Sequence, residues 1–139
     1  MEYTYHPMTL ADYDESYALW KSLPGVCLSD ADTRDNIARY LSHNPGQSFV
    51  CKSDGHLVGI LLCGNDGRRA YIHHMAVAPE HRRQGIGHKL VRLAVAEQKK
   101  NSFQKCHLFI LHENETGKAF WNEMEFSERQ DISIMSRSL

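Results

Sequence analysis

The stretch Met75-Ala76-Val77-Ala78-Pro79-Glu80-His81-Arg82-Arg83-Gln84-Gly85-Ile86-Gly87-His88-Lys89-Leu90 decides the fold. Up to Val77 it reads as the end of a strand, and Pro79, with no N–H to give to a ladder, blocks extension. Arg82 and Arg83 then make a basic turn. Gly85 and Gly87 open a segment in which Ile86, Leu90, Leu93 and Ala94 recur at helical spacing as far as about Lys100. A glycine turn that leads into a helix presents unpaired backbone N–H groups and a partial positive charge, which suits a phosphate. Glycine also lets the main chain approach an anion with no Cβ in the way. The third glycine of a dinucleotide fingerprint is missing, with Leu90 in its place, and no Gly-Lys-Ser/Thr follows as in a nucleotide P-loop. The competing reading is a tight strand-to-helix connection with solvated arginines.

Upstream, Ser48–Lys52 and His56–Cys63 are rich in Val, Ile, Leu and Phe, and Ser53-Asp54-Gly55 joins them. Asp-Gly between two such runs is a hairpin signal. Asn65-Asp66-Gly67 makes a second turn into a strand over Arg69–Val77, so the three runs form an antiparallel meander. Before the meander stand a short strand over Glu2–His6 and a helix that Thr9 caps, with Asp12 three residues on and Tyr13, Tyr17 and Trp20 as its apolar stripe. That helix stops at Leu23-Pro24-Gly25. A second runs over Asp32–Ser42 to Asn44-Pro45-Gly46. After the long helix come a strand over Lys105–Leu111, a short helix over Thr116–Met124, and one or two final strands over Phe126–Arg137. This order implies an α/β (α+β) fold with a mixed sheet. With no repeat, low-complexity tract or linker, residues 1–139 read as a single domain.

Lys plus Arg (16) nearly balance Asp plus Glu (17), giving a formal net charge of −1, so the overall field does not advertise nucleic acid or an anionic membrane. Arg68-Arg69 and Arg82-Arg83 are the only basic pairs that favour a nucleic-acid partner. The 42% apolar fraction suits one buried core. Cys27, Cys51, Cys63 and Cys106 form neither a C-x-x-C pair nor a zinc pattern with His, so no metal site is expected. Reduced thiols inside a cytosolic protein are the simpler reading. Met1–His6 lacks the basic and apolar regions of a signal peptide, and Leu57–Cys63 is too short to span a bilayer. A cytoplasmic protein with no membrane partner is expected.

At Arg82-Arg83-Gln84-Gly85-Ile86-Gly87 the chain resembles the GCN5-related N-acetyltransferase (GNAT) superfamily, whose acetyl-CoA motif is Arg/Gln-x-x-Gly-x-Gly/Ala. A later family motif, Asn-x-x-Ala-x-x-Phe-Tyr-x-x-x-Gly-Phe, is similar to Asn114-Glu115-Thr116-Gly117-Lys118-Ala119-Phe120-Trp121-Asn122-Glu123-Met124-Glu125-Phe126. Small bacterial members with an Asp-Gly-Arg-Arg turn, here Asp66–Arg69, and Phe-Trp in the last helix look most alike. The resemblance implies a central sheet of six to seven mostly antiparallel strands with about four helices. Between two parallel central strands it implies a V-shaped gap that admits acetyl-CoA. It further implies that amides from Arg83 to His88 hold the pyrophosphate, that Met75, Ala76 and Val77 pair with pantetheine like an added strand, and that an N–H near Val77 polarises the thioester carbonyl. By the same resemblance, Arg82, Gln84, Ile86, Asn114 and Trp121 belong to the cofactor site, a polar helix cap being the competing reading of Asn114 and a core aromatic that of Trp121. The implied activity is transfer of an acetyl group to a primary amine, on a small molecule or on a protein N-terminus or lysine, by direct attack in a ternary complex. A non-catalytic acyl-CoA sensor is the alternative, and a homodimer is left open.

An ammonium must lose a proton before it attacks. Tyr71, His73 and His74 lie on the cofactor-binding strand, and strict alternation puts Tyr71, His73, Met75 and Val77 on one face and Ile72, His74 and Ala76 on the other. A bulge would swap part of this pattern. His titrates near neutrality, and some family members carry active-site histidines at positions matching His73 and Tyr71. His73 is therefore expected to relay the amine proton, Tyr71 is the second catalytic candidate, and His74 is expected to pack toward the core. A hydrogen-bonded structural histidine is the competing reading of His73. Two departures stand out: Trp121 replaces the family's general-acid tyrosine and cannot deliver a proton, and Glu125 replaces a glycine. The acceptor is expected across the sheet from the cofactor, with Tyr17, Asp30, Asp32, Arg129 and Asp131 as contacts that would suit a cationic amine.

Overall fold

A computed structural model describes residues 2–139; Met1, the first residue of the N-terminal stretch read above, lies outside them. The chain divides into two compact units, a larger one ending at Phe109 and a smaller one, Ile110–Leu139. In the larger unit a five-stranded sheet runs β1 (Thr4–Pro7), β2 (Phe49–Ser53), β3 (His56–Asn65), β4 (Ala70–Val77) and β5 (Cys106–Leu108), each strand beside the next. The first four pair antiparallel and β5 joins β4 in parallel. Three helices accompany it: α1 (Tyr13–Ser22), α2 (Arg34–His43) and α3 (Ile86–Lys100).

Local chemistry explains the connections. Asp54 and Gly55 have φ of 51° and 78°, the paired left-handed conformation that a two-residue hairpin requires and that Asp-Gly supplies. In the next turn Asp66 Oδ1 accepts from the N–H groups of Arg68 and Arg69, each at 2.8 Å, and these bonds hold its carboxyl below the usual range. Thr9 and Asp12 form the expected capping box, but it closes a single 3₁₀ turn, Leu10–Asp12, before α1 begins.

The sheet buries both faces. Ile60 and Leu62 of β3 pack with Trp20 of α1, Ile37 of α2, Val50 and Ala76. Their neighbours along β3 point the other way, where α3 buries Ile86, Leu90, Val91 and Ala94. Gly59 allows that helix to come close: a Cβ there would lie 2.9 Å from Ile86 Cγ2 and 3.3 Å from Leu90 Cδ1.

The smaller unit holds α4 (Glu115–Glu123). Among the described residues the sheet has five strands rather than six to seven, and the segment from Phe126 to Arg137 forms none. Ile132 and Ile134, whose alternation suggests a strand, are 58% and 65% exposed, so no buried face holds that segment in a ladder. The last strand of the sheet is likewise shorter than the Lys105–Leu111 expectation, ending at Leu108.

Candidate active site

The site is built around an irregularity in β4. Ile60 pairs with Ala76 and Leu62 with His73, so β4 spends one more residue than β3 over this span. The extra residue is taken up at His74, whose φ is 50°. Two contacts hold this bulge from the α1–α2 side. Trp20 Nε1 donates to the His74 carbonyl at 2.8 Å, and His74 Nε2 lies 2.8 Å from Asp32 Oδ1. Asp32 is itself fixed, because its Oδ2 accepts from Ser29 N–H at 3.0 Å and its main-chain oxygen accepts the Tyr13 hydroxyl at 2.6 Å.

The bulge corrects the alternation argument. His74 does not pack into the core on the opposite face from His73. Both imidazoles border one cleft of about 690 Å³, together with Asp30, Asp32, Asn36, Arg39, Tyr40 and His43. Ala76, expected on the face of His74, does join the α1–α2 core, because the shift in register puts it on the side of His73 as well. Burial is the main cause that holds His73 below the usual imidazole pKa of 6.5; the charge of His74 adds to it, and Asp32 opposes it. Its ring stacks on Tyr71 (6.4 Å between centroids, 7° between planes) and meets Tyr40 and Phe109 edgewise or tilted. Of the other acceptor candidates, Asp30 and Asp32 line the cleft and Tyr17 packs on the core beside Tyr13. Arg129 and Asp131 bond each other at 2.9 and 3.0 Å in the smaller unit.

Beyond the bulge the other edge of β4 is open. Parallel pairing with β5 stops at Ile72–Leu108, while β4 continues through Met75 and Ala76 to Val77. Ala78 N–H donates to Val58 O at 2.8 Å, toward β3, so alternation turns the main-chain groups of Val77 to the open edge. The parallel pairing thus ends where the family resemblance implies that the cofactor enters.

A turn at Pro79–His81 then leads through exposed Arg82, Arg83 and Gln84 to Gly85, which caps α3 in the left-handed region at φ 78°. Arg83 is also left-handed, at φ 62°. The first bond within the helix runs from Lys89 N–H to Gly85 O, so the amides of Ile86 and Gly87 at its N-terminus have no helical partner. A Cβ at Gly85 would meet no atom within 4 Å, so the space over this turn is open. The Ile86 side chain is buried and anchors the turn to the sheet, whereas Gly87 and His88 are half-buried. Open space, unpartnered amides and two arginines fit a diphosphate group.

In the smaller unit Asn114 Oδ1 accepts from Gly117 N–H at 2.9 Å and caps α4, the competing reading noted above. Gly117 has no Cβ to collide with that side chain. Trp121 stacks edgewise on Phe120 and Phe126. Glu125, at φ 70°, ends α4 in a Schellman turn: Phe126 N–H reaches Trp121 O at 2.9 Å and Glu125 N–H reaches Asn122 O at 3.0 Å. The missing glycine is thus a left-handed position that carries a side chain.

Reading the sequence placed Trp20 only in an apolar stripe, not as the residue that holds the bulge, and did not single out Gly59, which admits α3. A buried tryptophan advertises only core, and a glycine inside a strand is the one available signal of close backbone approach.

The model of the acetyltransferase (GNAT) family matches residues 13–126. An acetyltransferase of Photorhabdus laumondii is 27% identical over 128 residues, covering 89% of this chain and 86% of that protein. Among solved structures, Ard1 from Thermoplasma volcanium superposes with a TM-score of 0.80 at 19% identity, covering 91% of this chain and 84% of that one. The PaiA N-acetyltransferase of Thermoplasma acidophilum, in complex with coenzyme A, gives 0.72 at 15% identity and 89% of each chain. The split sheet, the glycine turn and these matches lead to one conclusion: the chain belongs to the acetyltransferase (GNAT) family and is an acetyl-CoA-dependent N-acetyltransferase.

Proposed function

We propose that residues 1–139 work as one cytoplasmic acetyltransferase domain that passes the acetyl group of acetyl-CoA directly to a primary amine bound in the cleft of His73. The bulge at His74 carries this reading, because it turns two imidazoles into a cleft on the α1–α2 side just where β4 runs past its last pairing with β5. When bound, acetyl-CoA supplies an activated acyl group on a thiol. The amides from Arg83 to His88, with Arg82 and Gln84, bind its diphosphate; Ile86 anchors them from below. Met75, Ala76 and Val77 present the strand edge to its amide-bearing arm, and a Val77 N–H would hydrogen-bond the reacting carbonyl oxygen. Asn114 and Trp121 join the cofactor set on family resemblance alone.

On the acceptor side, Asp30 and Asp32 suit an amine that arrives as a cation, whether on a small molecule or at a protein N-terminus or lysine. His73 accepts the proton that the ammonium must lose. Burial, which holds its pKa below the usual imidazole value, supports this role because it favours the neutral, proton-accepting ring. Tyr71, stacked on it, sets its plane and remains the second candidate for a catalytic group.

Incubation of the protein with acetyl-CoA and a panel of amines, peptides and polyamines, with free thiol as the readout, tests the reading. Turnover on at least one amine is expected, with an acid limb that His73→Gln removes. Tight cofactor binding with no turnover on any amine would overturn the primary-amine reading.

A further inference from the structure

The bulge puts two consecutive histidines on one cleft, and they are not equivalent. His74 Nε2 meets a fixed carboxylate, Asp32 Oδ1, at 2.8 Å, and Asp32 is only 5% exposed. The contacts of His73 are with rings: Tyr71, Tyr40 and Phe109. A proton on His74 is therefore paired with an anion, whereas a proton on His73 is buried beside another imidazole with no carboxylate in contact. Two positive rings on neighbouring residues of one cleft repel each other. We propose that the Asp32–His74 pair is a positioning device for the acetyl transfer: a proton that enters the paired imidazoles rests on His74 against the Asp32 carboxylate, which adds to burial in leaving His73 ready to take the acceptor's proton. The proposal rests on the reading of His73 as the proton acceptor, and gives the otherwise costly bulge a purpose.

The other groups that face His73 do not supply this bias. Tyr71 shares its strand and offers a ring face, and Tyr40 comes from α2, where burial pushes the phenol well above its ordinary range. Arg39 and His43 of α2 line the same cleft, and Arg39 is tied to Asn36 Oδ1 at 2.7 Å. Asp30, beside Asp32, is the remaining carboxylate on the cleft.

The test is an NMR titration of the imidazole C–H signals of the full-length chain, with His73 and His74 assigned by His73→Gln and His74→Gln. In the unaltered protein the His73 midpoint is expected below 6.5. Removing the His74 charge with His74→Gln should raise it by about half a pH unit, the scale of two charges several Å apart at a wet cleft. Adding Asp32→Asn to that variant should lower it again, because the attraction of the carboxylate is then lost. A merely structural pair would move neither midpoint in this sequence of opposite signs. An unchanged or lowered midpoint in His74→Gln overturns the proposal. If His74→Gln does not fold, the unaltered chain still decides: coupled rings titrate in two steps visible at both, and two independent single-step curves overturn it. Failure of the underlying reading looks different, since His73→Gln would then keep the acid limb of turnover while the titrations shift as expected.

Discussion

The two sides of β4 are built from different parts of the chain. Toward the strand edge and the turn at Gly85, the groups available to a ligand are backbone amides, placed by a strand that runs past its neighbour and by a helix N-terminus. Toward α1 and α2 they are side chains: His73, His74, Asp30 and Asp32. The first side depends chiefly on backbone conformation, and the second on side-chain identity as well as on the bulge that presents it. The shared element is His74, whose left-handed backbone makes the bulge in β4 while its ring serves the α1–α2 side.

Substitutions that separate the sides sharpen this contrast, and the largest effect is expected on the side-chain side. His73→Gln should lower kcat by on the order of a hundredfold, the usual contribution of a positioned proton acceptor, and remove the acid limb of the pH profile. Calorimetric affinity for coenzyme A should not change. In the unaltered enzyme that limb should lie below pH 6.5, because burial depresses the His73 pKa and the ring becomes an acceptor only as pH rises through the depressed value.

On the backbone side, Gly85→Val forces a β-branched residue to φ 78°, where non-glycine residues cost about 1–2 kcal/mol. A roughly tenfold loss of coenzyme A affinity is expected by calorimetry, with no change in the pH profile of the turnover that remains. Trp20→Phe removes the indole N–H from the His74 carbonyl while keeping an aromatic core residue. It should cost about 1–3 kcal/mol in thermal unfolding, as a buried acceptor loses its donor, and it is the substitution that should disturb both sides at once. The smallest effect is expected outside both. Glu125→Gly relieves a left-handed side chain and should raise stability by about 1 kcal/mol without touching turnover.

The same division explains what the sequence made legible. Glycine, proline and Asp-Gly report backbone conformation directly, so the meander and, to within a residue, the glycine turn that opens α3 were readable residue by residue. The bulge was not locatable, because an extra residue in a strand leaves no mark on an Ile-His-His-Met run. With its position unknown, alternation sent His74 to the wrong face. Asp32 was named as an acceptor contact, but its bond to His74 links residues far apart in the chain, and neither residue type announces the other. The missing strands after Phe126 fail for a related reason: alternation over Ile132 and Ile134 requires a partner face to become a ladder, and both side chains are exposed.

In the proposed mechanism main-chain amides of one strand edge and one glycine turn hold acetyl-CoA while His73 faces the α1–α2 cleft. Titrating coenzyme A into the ¹⁵N-labelled chain tests it most directly. The largest amide shifts are expected at Met75–Val77 and Gln84–His88, with smaller ones at Asp30–Asp32. Saturable binding that leaves the amides of Met75–Val77 and Gln84–His88 unmoved would contradict it.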